Sequence, residues 1–128
     1  MLTQNQIKTQ IYNALNNDVA LTALVANRIY WIAKPTITDT FPLVIYKIID
    51  TSGNYAFGDK QSISEEYTVQ IDVYTSSSDV LTMDSIIDRV KTVMQTQCFR
   101  LIASPGIFIA DGLDNIVVRP QRWDWINV

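Results

Sequence analysis

The sequence predicts an α+β fold, in which two main helices pack on one face of a mainly antiparallel sheet. Two segments, 3–16 and 79–96, carry apolar residues at the spacing of amphipathic helices. Segment 63–75 alternates apolar and polar residues, which is typical of an antiparallel strand buried on one face only. Helices before and after a run of strands favour a sheet with its helices on one side.

Each helix pattern shows a single apolar stripe. In the first helix it consists of Ile7, Ile11 and Leu15, which recur every four residues. In the second it consists of Met83, Ile86, Ile87, Val90 and Met94. Asp18 has the chemistry to cap a short additional helical turn that ends near Asn27.

The remaining strands are read from β-branched and aromatic residues. Segments of this composition are 28–33, 43–50, 98–104, 107–110, 115–119 and 122–127. Segment 43–50 is almost continuously apolar, so we expect both of its faces to be covered. Pro120 lacks an N–H donor, which predicts a bend or a sheet edge between the last two segments. All 128 residues are expected to form one domain, 1–128.

Composition argues against an enzyme. The chain has no histidine, which removes the commonest general base and the commonest metal ligand. It contains no phosphate-binding glycine motif, nucleophile elbow or C-x-x-C. Glu65 and Glu66 are adjacent, so on a strand they point to opposite faces. Asp111 and Asp114 flank a glycine and are better explained by turn chemistry than by a cation site. We expect no catalytic residue, cofactor or metal.

Three further features restrict the class of protein. The longest apolar run, Ile29 to Ala33, is too short to span a bilayer, and the first ten residues do not have the pattern of a signal peptide. The single cysteine, Cys98, is predicted to be a small, half-buried residue at a helix end. Ten basic and thirteen acidic residues are scattered along the chain, and the net charge is −3. This distribution disfavours sequence-specific DNA binding.

Two groups of aromatic residues have more than one interpretation. Tyr55 and Phe57 lie in the glycine-rich segment 51–62, a long loop or hairpin tip. They are either anchors for a partner or part of a loop folded back over its own core. Trp123 and Trp125 either form a platform for bases or sugars, or contribute to the core or a subunit interface. The acidic charge balance favours the second interpretation of the tryptophan pair.

The central segments follow a specific order. After the N-terminal helix come NRIYWIAKP, FPLVIYKII, EEYTVQIDVYTSSS and the helix MDSIIDRVKTVM. Over roughly residues 4–97, this order and spacing resemble the tail terminator and tail-completion proteins of long-tailed phages. The final PQRWDWINV departs from the pattern of that family.

The resemblance implies a structural virion protein, assembled in the host cytoplasm, that forms a hexameric ring of identical subunits. The ring would cap the tail tube, end its elongation and join the tail to the head. Implied partners are the major tail tube protein and the head–tail connector or stopper. DNA would pass through without specific binding, and no membrane is involved. Two alternatives remain: a head-completion or head–tail adaptor ring, and a non-viral cytoplasmic binding module.

The same resemblance suggests that loops 34–41 and 51–62 contact neighbouring subunits. The expected interface residues are Thr36, Thr38, Tyr55, Phe57, Asp59, Lys60, Trp123 and Trp125.

Overall fold

Three helices cover one face of a six-stranded sheet in the computed structural model, which describes residues 4–32, 40–55, 62–110 and 112–127. The helices are α1 (Gln4–Asn17), α2 (Val19–Val25) and α3 (Val80–Thr96). The strands are β1 (Ile29–Trp31), β2 (Leu43–Tyr55), β3 (Ser62–Ser76), β4 (Arg100–Ala103), β5 (Phe108–Ala110) and β6 (Leu113–Asn127). The predicted α+β class is confirmed.

The sheet has the strand order β1-β2-β3-β6-β4, and β5 pairs with β6 beside β4. Only the β1–β2 pair is parallel; the other pairs are antiparallel. Long β2, β3 and β6 form the centre of the sheet, and short β1, β4 and β5 lie at its edges. The sheet therefore has a centre of long strands and two edges made of three- or four-residue strands.

The core lies between the helices and one face of the sheet. The predicted stripes of both main helices are buried, as are alternate residues of β3 from Tyr67 to Val73. This agreement arises because burial on one face imposes the 3.6-residue period on a helix and the two-residue period on a strand. Of the β2 side chains that the structure describes, residues 43–49, those from Leu43 to Tyr46 are buried on both faces, whereas Ile49 is exposed; the expectation for 43–50 therefore holds for the first half of the segment.

Asp18 joins α2 to α3. Its Oδ2 accepts a hydrogen bond from the backbone N–H of Leu21 at 3.0 Å, which caps the first turn of α2 as expected. The Arg89 guanidinium on α3 donates to both carboxylate oxygens, at 2.6 and 3.0 Å. The hydrogen bond from Arg89 lowers the pKa of Asp18, because it favours the charged carboxylate.

Cys98 ends α3 but is not half-buried as predicted: it is exposed, and its φ is +66°. Its N–H donates to the Gln95 carbonyl, and the N–H of Phe99 donates to the Met94 carbonyl. These two bonds form a Schellman motif, which places this residue in the left-handed conformation and turns it outward. Phe99 and Met94 are both buried in the core beneath this turn.

Segments 115–119 and 122–127, for which the sequence allows one last strand or a pair of strands, form the single strand β6 from Leu113 to Asn127, and Pro120 does not interrupt it. On one side β6 pairs with β3 throughout, including Asp72 opposite Pro120. On the other side it pairs with β5 up to Val118 and with β4 from Arg122. The proline therefore lies at a gap in the outer ladder, where a residue without an N–H donor is tolerated.

Candidate assembly surface

The sheet face opposite the helices carries a chain of polar contacts across its central strands. From β2, the Lys47 Nζ lies 3.9 Å from the Asp72 Oδ2 on β3. The Gln70 Nε2 donates to the Asp72 Oδ1 at 2.8 Å, and the Arg122 Nε on β6 donates to the Gln70 Oε1 at 3.2 Å. These contacts connect three strands: a lysine pairs with a carboxylate, and an amide links that carboxylate to an arginine.

A second set of contacts continues this face toward the sheet edge. The Thr68 Oγ1 on β3 donates to the Asp124 Oδ1 on β6 at 2.8 Å. The Arg100 Nη2 on β4 lies 3.7 Å from the Asp124 Oδ2. Together the two sets align four strands, and we call them the outer polar network: Lys47, Thr68, Gln70, Asp72, Arg100, Arg122 and Asp124. Such cross-strand pairs stabilise register and keep the face hydrophilic.

Asp72 is the buried member of the outer polar network. Only 5% of the residue is exposed, although it carries an ionisable carboxyl. Burial raises its pKa, and the hydrogen bond from Gln70 and the charges of Lys47 and Arg122 offset part of that rise. The folded chain therefore holds a proton on Asp72 more readily than the unfolded chain does.

We expect Asp72→Asn to raise the free energy of unfolding modestly at pH 7. A carboxyl with a raised folded pKa stabilises the fold most below its ordinary pKa of 3.8, and this contribution is lost as pH rises through the folded value. The neutral amide of the asparagine still accepts the hydrogen bond from Gln70, and it avoids the cost of burying a charged carboxylate at pH 7. Urea unfolding at pH 7 and pH 3 measures the difference, which should shrink at the lower pH.

The control for this prediction is Asp88→Asn, an exposed carboxylate on α3. It should leave stability at pH 7 unchanged. A loss of stability in Asp72→Asn at pH 7 would show that the ion pair with Lys47 outweighs the desolvation of the carboxylate.

The β2–β3 hairpin extends into segment 51–62, for which the sequence predicts a long loop or a hairpin tip. Residues 51–55 continue β2 and pair with β3 up to Tyr55 opposite Ser62, in agreement with the second alternative. The backbone of Tyr55 thus lies at the end of the paired hairpin. The other expected loop residues, Phe57, Asp59, Lys60, Thr36 and Thr38, lie outside the described residues.

The two tryptophans occupy different environments. Trp123 is 0% exposed and packs in the core, so its place among the expected interface residues is corrected: no surface of it is left for a partner. Trp125 is half-buried, with its ring 6.1 Å from the rings of both Tyr67 and Phe99. Of the two interpretations of this pair, the structure supports the core for Trp123. Alternation along β6 puts both side chains on the helix face.

Both edges of the sheet expose apolar side chains that the sequence interpretation missed. At the β1 edge these are Tyr30 and Ile32; at the other edge they are Ile102, Ile107, Phe108 and Ile109. One signal was available, because three successive apolar residues in a short strand cannot all point to the same core. We call the two groups the β1 edge and the β5 edge.

The described parts of the chain show no group of three or more Cys, Asp or Glu side chains that could hold a metal ion. Within those same ranges, no helix is long and apolar enough to cross a membrane. The surfaces that the structure describes are a polar sheet face, an extended hairpin and two apolar edges.

A sheet covered by helices on one face, with a polar opposite face and apolar edges, has the surfaces of a subunit that packs against other proteins. Residues 9–109 match the family described as tail completion protein gp17. The chain belongs to this family, and is therefore a structural phage tail protein and a component of the virion.

A solved structure supports the fold assignment. A chain of the "Virion of native gene transfer agent (GTA) particle" superposes with a TM-score of 0.67 at 12% identity, covering 92% of this chain and 91% of that one. At this level of identity the match shows a shared fold. A comparison with curated proteins gives no significant match.

Proposed function

We propose that copies of this protein form a ring, with six subunits as the expected number, that caps the tail tube, ends its elongation and joins the tail to the head connector. The observation that carries the proposal is the family match over residues 9–109. The proposed partners are the major tail tube protein and the head–tail connector or stopper. The proposed role is structural and involves no enzymatic reaction.

The charge pattern supports a ring through which DNA passes without being held. In the outer polar network, Lys47 and Arg100 each lie beside a carboxylate, and Arg122 donates to an amide. A phosphate backbone binds tightly where several uncompensated cations are aligned. The net charge of −3 works in the same direction, because a weakly acidic wall does not attract DNA.

We also propose that the two loops make contacts in the neck of the particle. Thr36 and Thr38 belong to the predicted loop 34–41, and Phe57, Asp59 and Lys60 belong to the predicted loop 51–62. The pairing of β2 with β3 supports this role, because it continues to Tyr55 opposite Ser62 and so forms a long two-stranded arm.

Deletion of the gene from its phage or prophage tests the function. Negative-stain electron microscopy of the lysate should show filled heads separated from tails of uncontrolled length. Normal-length tails beside heads that have lost their DNA would assign the protein to the head-completion ring instead. Wild-type particles would contradict both assignments. A plasmid copy should restore particles, whereas a copy lacking residues 54–59 should not if the loop is a contact.

A further inference from the structure

The β5 edge exposes an unusual amount of apolar surface. Ile109 is 70% exposed and Phe108 50%, and Ile102 and Ile107 beside them are also exposed. β5 pairs with β6 along one side, and no described strand pairs with its other side. Segment 101–110 contains no charged residue. This edge therefore combines unpaired backbone groups with apolar side chains on both faces of the strand.

The β1 edge has the same character at the opposite end of the sheet. β1 pairs only with β2 among the described strands; its Tyr30 is exposed, and so is Ile32, which directly follows the strand. Segment 29–33 is also free of charge. Trp31, between the exposed positions in sequence, instead packs against Tyr46, with 5.2 Å between their rings.

Uncharged, exposed edge strands promote aggregation of a protein that remains a monomer. Soluble proteins usually protect such edges with lysine, proline or a covering segment, because the free N–H and C=O groups recruit other strands. Here segments 29–33 and 101–110 contain no charged residue, and each exposes large side chains; at the β1 edge, Lys8 of α1 places its Nζ 4.9 Å from the centre of the Trp31 ring. Edges of this kind are stable when another strand covers them.

The two edges match each other in length and chemistry. β1 and β5 are three residues each, and neither strand contains a charged residue. They are different surfaces, so a contact between them is heterologous and repeats from subunit to subunit. Such a contact closes into a ring when the rotation between neighbours divides a full turn, whereas pairing of one edge with itself would stop at a dimer.

We propose that the β5 edge of one subunit docks against the β1 edge of the next, so that the sheets join around the ring. This inference rests on the ring of the proposed function and adds the surfaces that form it. A standard protein interface buries roughly 1,600 Å², so this short strand pair would be the centre of a larger contact. Burial of Ile109 and Ile32 at that centre would supply the apolar part.

Disulfide trapping in phage particles tests the proposed pairing. A Cys98→Ser chain serves as the parent, because Cys98 is exposed and would form its own crosslinks. Tyr30→Cys and Ile109→Cys are added singly and together, and the chains complement the gene deletion. After mild oxidation, the double variant should give a ladder of multimers on non-reducing gels. Each single variant should remain a monomer.

Charge insertion gives a second readout. Ile109→Lys and Ile32→Lys should fold with the thermal stability of the parent but be absent from purified particles. Leu81→Lys is the matched control, because Leu81 is 83% exposed on α3 and belongs to neither edge. It should enter particles normally.

These experiments distinguish failure of the edge pairing from failure of the proposed function. If the parent chain is present in particles with normal tails but the double-cysteine chain gives no ladder, the edge pairing is wrong and the proposed function stands. If Ile109→Cys alone crosslinks to a different tail protein, the occupant is not a second copy and the inference fails. If the parent chain is absent from particles, the proposed function fails and the edge pairing fails with it.

Discussion

Trp123→Ala is expected to lower the free energy of unfolding by about 3–5 kcal/mol, as for other fully buried large aromatic residues. Trp123 is 0% exposed, and it lies on β6 opposite Val69 of β3 and Leu101 of β4. Removing the indole leaves a cavity between the central strands and the helices, which the surrounding side chains fill only in part. Urea unfolding followed by circular dichroism measures the loss.

The control is Phe108→Ala, because this phenylalanine is also on a strand but is 50% exposed. Its effect on the isolated chain should stay within roughly 0.5 kcal/mol, the range of ordinary surface substitutions. Similar losses in the two variants would contradict the placement of Trp123 in the core.

Gln121→Met is expected to act in the opposite direction and to raise the free energy of unfolding by about 1–3 kcal/mol. Gln121 is 0% exposed, and among the described residues neither its Nε2 nor its Oε1 has a hydrogen-bond partner. Burying an amide without a partner costs its full hydration. Methionine has nearly the same length and shape and carries no such cost. The shift in the urea midpoint gives the value.

Gln70→Met is the matched control, since the same substitution falls on the neighbouring strand. Gln121 faces Ile71 in the β3–β6 ladder, and Gln70 faces Arg122 one position away. Gln70 bonds to both Asp72 and Arg122, so its loss should leave stability equal or lower. If Gln121→Met also destabilises the chain, the buried amide has a partner, and an internal water is the simplest one.

The helices and the strand with a regular spacing of apolar residues were predictable from the sequence. The stripes Ile7 to Leu15 and Met83 to Met94, and the alternation from Tyr67 to Val73, all face the core as expected. The cap at Asp18 followed from the chemistry of its side chain. Each of these features depends on residues a few positions apart, which is the range over which sequence patterns are informative.

The errors arose where a residue's surroundings come from distant segments. Pro120 is tolerated in a continuous strand because β4 and β5 leave a gap beside it. Trp123 and Trp125 share one face of β6, yet only the first is fully buried, because its neighbours on other strands differ. The exposed edges follow from strand order, which places β1 and β5 outermost.

The sequence by itself determined the α+β class, the two main helices, the half-buried central strand and, through the order of its segments, the resemblance to tail-completion proteins. The tertiary structure decided which strands lie at the edges, how the outer polar network connects β2, β3, β6 and β4, and where apolar surface remains uncovered. The physical reason is that helix and strand periods are local, whereas exposure at a sheet edge depends on which strands pair.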